Sequence, residues 1–186
     1  MFEERIRTLL SAHNPVRIEK SSRTQAAVLI PLFEKERRLH ILFTKRTDQV
    51  ATHRGEICFP GGVMDQTDPD LPATALRELE EELALPRSSV EILGCLDEIR
   101  TAVSYFRVVP YVGFLKGPLS YRPNEIEVSE VLEIPLEHFT DPAIFHEEMR
   151  ILDQISIPVY FYQWKNHTIW GVTGRILKSL LDLLKE

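Results

Sequence analysis

The sequence predicts a mixed α+β fold on three observations. Near the start, two aliphatic runs, Ala26 to Phe33 and Leu39 to Thr44, flank the charged tetrapeptide Glu34-Lys35-Glu36-Arg37, as the arms of a hairpin flank its turn. In the middle, Ala75, Leu76, Leu79 and Leu83 gather into one apolar stripe when placed at 100° per residue. At the end, Val172, Ile176, Leu180 and Leu183, joined by Leu177 and Leu184, do the same. Strands that come first, with a helix in the middle and another at the end, point to α+β architecture.

Taken in order, Phe2, Ile6, Leu9 and Leu10 predict a short amphipathic helix over residues 2–12, which Pro15 keeps from continuing. Residues 1–22 are this helix and its lead-in, and 1–186 read as a single domain. The segment 44–55 after the hairpin lacks a period and is expected to be an ordered loop. Gly61-Gly62 then reads as a turn in which the backbone can approach a ligand closely. Leu71-Pro72 opens the central helix, proline being at home in a first turn. Val90 to Ile99 and Phe106 to Leu115 predict two strands, with Pro110 marking an edge or a bulge. Gly117-Pro118 and Arg122-Pro123-Asn124 punctuate a turn-rich stretch before a strand over Ile126 to Ile134. A brief helix is expected to start at Pro135 and run to Phe139. Ile151 to Trp164, broken by Pro158, suggests a pair of strands, and the closing helix spans Gly171 to Leu184.

The chain has 186 residues, long enough for a sizeable core, and a net charge of −6, which argues against a nucleic-acid backbone as partner. No apolar run approaches the roughly 20 residues of a membrane span, and Met1 to Leu10 lacks the apolar core of a secretion signal. Cys58 and Cys95 are the only cysteines and lack metal-site spacing, so buried reduced thiols and a cytoplasmic location are expected. A homodimer is left open.

One feature of the central helix resists a purely structural reading. Glu78, Glu81 and Glu82 fall on one arc beside the apolar stripe, while Glu80 points away. Carboxylates at i, i+3 and i+4 repel by roughly 0.2–0.5 kcal/mol per pair, and the macrodipole disfavours anions in the last turns. A hard divalent cation reverses both penalties, because Mg²⁺ and Mn²⁺ prefer carboxylate oxygens. A solvated acidic face is the bland alternative, and the preceding Gly-Gly and the Arg77-Glu78 pair weigh against it.

Gly62, Arg77, Glu78, Leu79, Glu81, Glu82 and Leu85 resemble, in order, the Nudix box G-x5-E-x7-R-E-U-x-E-E-x-G-U, where U is aliphatic. Asp68 stands where the first Glu belongs, eight residues rather than seven separate it from Arg77, and Ala84 replaces the last Gly. The resemblance implies a Nudix-type α/β/α sandwich with a mixed central sheet, and hydrolysis of a diphosphate. Upstream, Leu42-Phe43-Thr44, Arg46 and Gly55-x3-Phe59-Pro60-Gly61-Gly62 are similar to the motif of members acting on coenzyme A, with Ala51 in place of a second arginine. Pro110-Tyr111-Val112-Gly113, Asn124-Glu125-Ile126-Glu127-Val128 and Trp170-Gly171-Val172-Thr173 extend the resemblance to the bacterial coenzyme A pyrophosphatase branch.

The site this implies has Glu78 and Glu82 ligating Mg²⁺ or Mn²⁺, with Glu81 joining through a second ion or a water. Arg77 orients a glutamate, plausibly Glu81. Glu125 and Glu127 are candidates for the general base, and solvent-facing places on an alternating strand account for them equally well. Lys45, Arg46 and Arg54, with Gly61 and Gly62, are candidate substrate contacts; for Lys45 and Arg54 a solubilising charge is the ordinary role. The implied substrate is coenzyme A or a derivative, the products being adenosine 3′,5′-bisphosphate and 4′-phosphopantetheine. Another nucleoside diphosphate derivative, or a non-catalytic Nudix-fold sensor, are the alternatives.

Overall fold

A computed structural model describes residues 2–19, 22–49, 53–101, 105–152 and 154–185. The two aliphatic runs form β1 (Thr24–Lys35) and β2 (Arg38–Arg46), longer than the apolar pattern marks. The expected four-residue turn shrinks to Glu36-Arg37, both left-handed at φ 52° and 62°. Two such residues make the primed turn whose twist matches the strands it joins. Strand β2 runs on to Arg46, so the expected loop over 44–55 begins later.

Around this hairpin lie β3 (Ile57–Cys58), β4 (Gly61–Val63), β5 (Val90–Cys95), β6 (Ile99–Arg100), β7 (Phe106–Leu115) and β8 (Val128–Pro135). The sheet runs β3-β2-β1-β7-β5, with β4 on β1, β6 on β7 and β8 on β2. It is mixed: β1 pairs with β7 in parallel, from Thr24 opposite Phe106 to Leu32 opposite Phe114, and the other ladders are antiparallel. A second sheet, β11-β10-β9, comprises β9 (Phe145–Leu152), β10 (Ile155–Trp164) and β11 (His167–Ile169).

Helices cover both faces of the large sheet. On one, α2 (Leu71–Leu83) packs Ala75, Leu79 and Leu83 against Ala27, Leu29 and Leu42. On the other, α1 (Phe2–Ala12) and α3 (Gly171–Leu183) bring Ile6, Leu10, Ile176, Leu177 and Leu180 to Ile30, Ile41, Phe43, Val112 and Ile134. This is the α/β/α sandwich with a mixed central sheet. Burial on two sides also explains why β1 reads as a continuous aliphatic run rather than an alternation.

Several expectations need correcting. Gly61-Gly62 is not a turn but strand β4, paired with Val28 and Ala27. A Cβ on Gly61 would lie 2.5 Å from the Ala27 carbonyl oxygen, so close backbone approach is what the glycine permits. Pro110 lies in a strand flanked on both sides; the interruption between β5 and β6 falls opposite it, where its carbonyl accepts from the Leu96 N–H. Pro158 does not break its strand, since it pairs with Met149 while β11 reaches only Tyr162 to Trp164. The strand expected from Ile126 starts at Val128, because residues 125–127 turn. In α3 Val172 is exposed, and Leu181 takes a buried place that the sequence reading did not give it. Cys58 and Cys95 are free thiols, half-buried rather than buried. Among the described residues no helix is long and apolar enough to cross a membrane.

Candidate active site

Helix α2 is started and stopped by its own sequence. Asp70 caps it, its side chain accepting from the Ala73 N–H at 2.9 Å, and Pro72 sits in the first turn. Ala84 ends it in the left-handed conformation, φ 54°, where its N–H donates to the Glu80 carbonyl. A glycine is the residue suited to that position, which gives the substitution in the box pattern a backbone meaning. Two carbonyls of the last turn are taken up by the segment before β8: the Arg122 N–H donates to Leu83 and the Asn124 N–H to Glu82, each at 2.8 Å.

Glu82 is 3% exposed. The Gly61 N–H donates to its Oε1 and the Thr44 hydroxyl to its Oε2, both at 3.2 Å. Burial pushes its pKa up to about 7, against the Gly61 and Thr44 hydrogen bonds, with the neighbouring Glu78 charge adding to the rise. One turn earlier Glu78 is half-buried and raised for the same first reason, opposed by Arg77. Its carboxylate lies against Gly62, where a Cβ would stand 2.3 Å from Oε1. Glu81 is exposed, and Glu80, also exposed, reaches Arg87 at 2.7 Å.

Arg77 is the hub of the cluster. It donates to Glu78 Oε1 at 2.8 Å, Glu81 Oε2 at 2.9 Å and the Val63 carbonyl at 3.1 Å. Its Nε and Nη2 both bond Asp68, each at 3.0 Å. Asp68 is itself buried and accepts from the Asp65 N–H and the Thr74 hydroxyl. The Arg77 guanidinium, ahead of these other donors, holds the Asp68 carboxyl well below the usual carboxylate range. Arg77 therefore positions Glu78 and Glu81 from an anchor outside the helix. In the sequence Asp68 stands out only as a departure from the box pattern, and its occupation of the box-Glu position is the signal for this role.

The remaining sequence-derived candidates divide. Arg46 stands close enough for its charge to favour ionised Glu82 and Cys58, and its buried Nε has no hydrogen-bond partner among the described residues. Glu127 is half-buried in the 125–127 turn, and its charge is felt at Glu78. Glu125 is exposed in that turn, so neither glutamate lies on the alternating strand of the bland reading. Lys45 follows Thr44 along β2 and so points to the opposite face of the sheet from Glu82. Arg54 is exposed in the loop, beside His53, whose ring nitrogen pairs with Glu56 at 2.9 Å. Ala51 lies outside the described residues. Thr44 is a contact that the sequence reading missed, although it opens the upstream motif.

Among the described residues no three acidic, histidine or cysteine side chains converge as a ready metal cage. The donor chemistry still suits a hard cation. A carboxylate has about four acceptor sites, and buried Glu82 has two hydrogen bonds. Glu78 and Glu82 could supply two oxygen ligands, leaving the other positions to water or substrate, as Mg²⁺ commonly requires.

A family model described as NUDIX domain matches residues 23–152. The chain belongs to the Nudix family. It is 37% identical over 166 residues to a protein of Photorhabdus laumondii named uncharacterized Nudix hydrolase NudL, covering 89% of this chain and 87% of that one. A protein of the same name from Escherichia coli is 36% identical over 162 residues, covering 87% and 83%. A MutT/nudix family protein from Enterococcus faecalis superposes with a TM-score of 0.61 at 16% identity, covering 96% of this chain and 69% of that one. The NUDIX domain of Shewanella oneidensis NrtR, crystallised with ADP ribose, gives 0.52 at 21% identity, covering 72% and 84%. The two structures share the fold. As a Nudix hydrolase the chain is a diphosphatase.

Proposed function

We propose that this Nudix hydrolase uses Mg²⁺ or Mn²⁺ to cleave the diphosphate of coenzyme A or its derivatives, giving adenosine 3′,5′-bisphosphate and 4′-phosphopantetheine. The observation that carries the reading is the grip on Glu82. Thr44, Arg46 and Gly61 all come from the stretch that resembles the coenzyme A motif, and all act on this one box carboxylate. The substrate motif and the catalytic helix thus meet at a single side chain.

In this mechanism Glu78 and Glu82 would hold the cation, with Glu81 at the solvent side. When bound, the ion neutralises diphosphate oxygens and lowers the pKa of an attacking water. The protein's own part is mainly positioning. Arg77, fixed by Asp68, sets the Glu78 and Glu81 carboxylates. Arg46 would meet a substrate phosphate with its fork of donors. Glu127, the candidate base whose charge is felt at Glu78, takes the proton from the attacking water. We take the whole chain to be one catalytic domain, acting on a small nucleotide without nucleic acid or membrane as partner.

A product assay tests this: coenzyme A, NADH and an ADP-sugar are each incubated with Mg²⁺ or Mn²⁺ and the products resolved. Adenosine 3′,5′-bisphosphate from coenzyme A as the preferred reaction is expected. Preferential cleavage of NADH or the ADP-sugar would overturn the substrate assignment while leaving the chemistry intact.

A further inference from the structure

Strand β9 pairs with β10 along one side, and among the described residues no strand pairs along the other. An open edge eight residues long offers a row of backbone donors and acceptors to another strand. Its neighbourhood is also unusually apolar for a free surface. Met149 is 60% exposed, Ile151 80% and Ile155 65%. Alternation along the hairpin puts Met149, Ile151 and Pro158 on one face, and Glu148, Arg150, Ile157 and Phe161 on the other.

The charges on this edge select an occupant. When two copies of one strand pair antiparallel about a two-fold axis, the residue on the axis faces itself and its neighbours face one another reciprocally. With Glu148 on the axis, two carboxylates meet; with Arg150 on the axis, two guanidinium groups meet. With Met149 on the axis, Glu148 of each copy stands opposite Arg150 of the other, twice over, and the methionines meet on the opposite face, where Glu147 of each copy stands opposite Ile151 of the other. Opposite charges at directly paired positions stabilise a sheet and like charges destabilise it. Charged residues ordinarily defend an edge against pairing; here their order makes the edge complementary to itself in one register. Arg150 already sits on the correct face, holding its own Glu148 at 3.0 Å and lying over the Phe161 ring at 5.1 Å.

We propose that two copies of this chain associate by antiparallel pairing of their β9 edges, with Met149 at the two-fold axis and Glu148 opposite the second copy's Arg150. The partner is therefore another copy of the protein, joined through a continuous six-stranded sheet away from the box helix.

Sedimentation velocity over a dilution series tests the proposal, supported by cysteine cross-linking. The wild type is expected to dimerise. Arg150→Glu places like charges at both pairs and should weaken the dimer by about tenfold or more. Glu148→Arg combined with Arg150→Glu exchanges the signs and should restore it. Met149→Cys should cross-link under oxidation, since directly opposed Cα atoms are about 4.5–5.5 Å apart, whereas Ile151→Cys and the wild type should not. Met149, Arg150 and Ile151 are exposed and Glu148 is half-buried, so the fold is expected to survive, and a thermal melt of each variant checks it. A wild type that stays monomeric throughout overturns the proposal. So does a dimer indifferent to Arg150→Glu, or one not restored by the exchange. Cross-linking at Ile151 in place of Met149 overturns the register.

Discussion

Adding one methyl group at Gly62 should damage catalysis without damaging the fold. Gly62 lies in β4 opposite Ala27, and its own conformation does not demand glycine, so alanine brings no backbone strain. What the new Cβ meets is the Glu78 carboxylate, at 2.3 Å from Oε1, 2.5 Å from Cδ and 2.8 Å from Oε2. Ordinary contact begins near 3.4 Å, so the carboxylate must retreat by about 1 Å, and misplacement on that scale costs on the order of 10²-fold in rate. That corresponds to ~2.7 kcal/mol of transition-state stabilisation. The obstacle is the end of a flexible side chain, so the melting temperature should change little. The measurements are kcat/KM on the preferred diphosphate substrate and calorimetric titration with Mg²⁺ and Mn²⁺, with both expected to weaken. Wild-type turnover and metal uptake in Gly62→Ala would refute the reasoning, because the position of the Glu78 carboxylate would then be immaterial.

Other perturbations separate the parts of the cluster. Asp68→Asn leaves Arg77 with a lost buried partner and should cost about 3 kcal/mol, at the low end for a broken buried pair because Glu78 and Glu81 remain; chemical denaturation measures it. Asp68 is depressed in the fold, so its contribution is present above its ordinary value near ~3.9 and is lost as pH falls below that. Acid titration of stability should accordingly be flatter in Asp68→Asn. Binding of Mg²⁺ at pH 6 should release about one proton from Glu82, and almost none at pH 8, as read by calorimetry in two buffers of different ionisation enthalpy. Glu80→Gln removes an exposed carboxylate bonded to Arg87 and should leave turnover within about twofold of wild type; a large loss would mean that the box face has been misassigned.

The sequence marks the existence of the main elements because each depends on a local pattern: the stripe of α2, the stripe of α3 and the aliphatic hairpin. It fails where tertiary pairing decides. Gly61-Gly62 carries the composition of a turn, yet it becomes a strand because β1 offers it an edge and small residues let the backbones close up. Pro110 and Pro158 look like strand breakers, yet each keeps a partner strand on one side, at Val28 and Met149, while the strand on the other side is interrupted opposite Pro110 and stops short of Pro158. No local signal tells where a partner strand stops. In the site, spacing alone brings Glu78, Glu81 and Glu82 to one arc. At 100° per residue Glu82 falls about 20° from Ala75 and Glu81 about 120° from it, so spacing does rank Glu82 as the nearer to the core. It could not show what receives the Glu82 carboxylate: Thr44 and Gly61, which lie 38 and 21 residues away.

A buried glutamate with so few partners is a poor device for stability. Glu82 ionised near neutral pH gives up hydration for one backbone N–H and one hydroxyl, and its raised pKa measures the imbalance. Between its ordinary value near ~4.3 and about 7, the folded protein binds a proton that the unfolded chain does not, so stability falls as pH rises through this window. Glu82→Gln removes the titration. In metal-free protein at pH 8 it should therefore stabilise, by roughly 1–2 kcal/mol once an imperfect amide fit is allowed for, or about 2–8 °C in Tm for a chain of this size. At pH 5, where Glu82 is already protonated, the gain should vanish. The same substitution should remove most turnover at every pH, since it deletes a ligand charge. Opposite signs for stability and activity, with the stability gain confined to alkaline metal-free solution, would place this carboxylate among residues kept for chemistry at the expense of the fold. A lowered Tm at pH 8, or a gain that persists at pH 5, would refute the electrostatic account of Glu82.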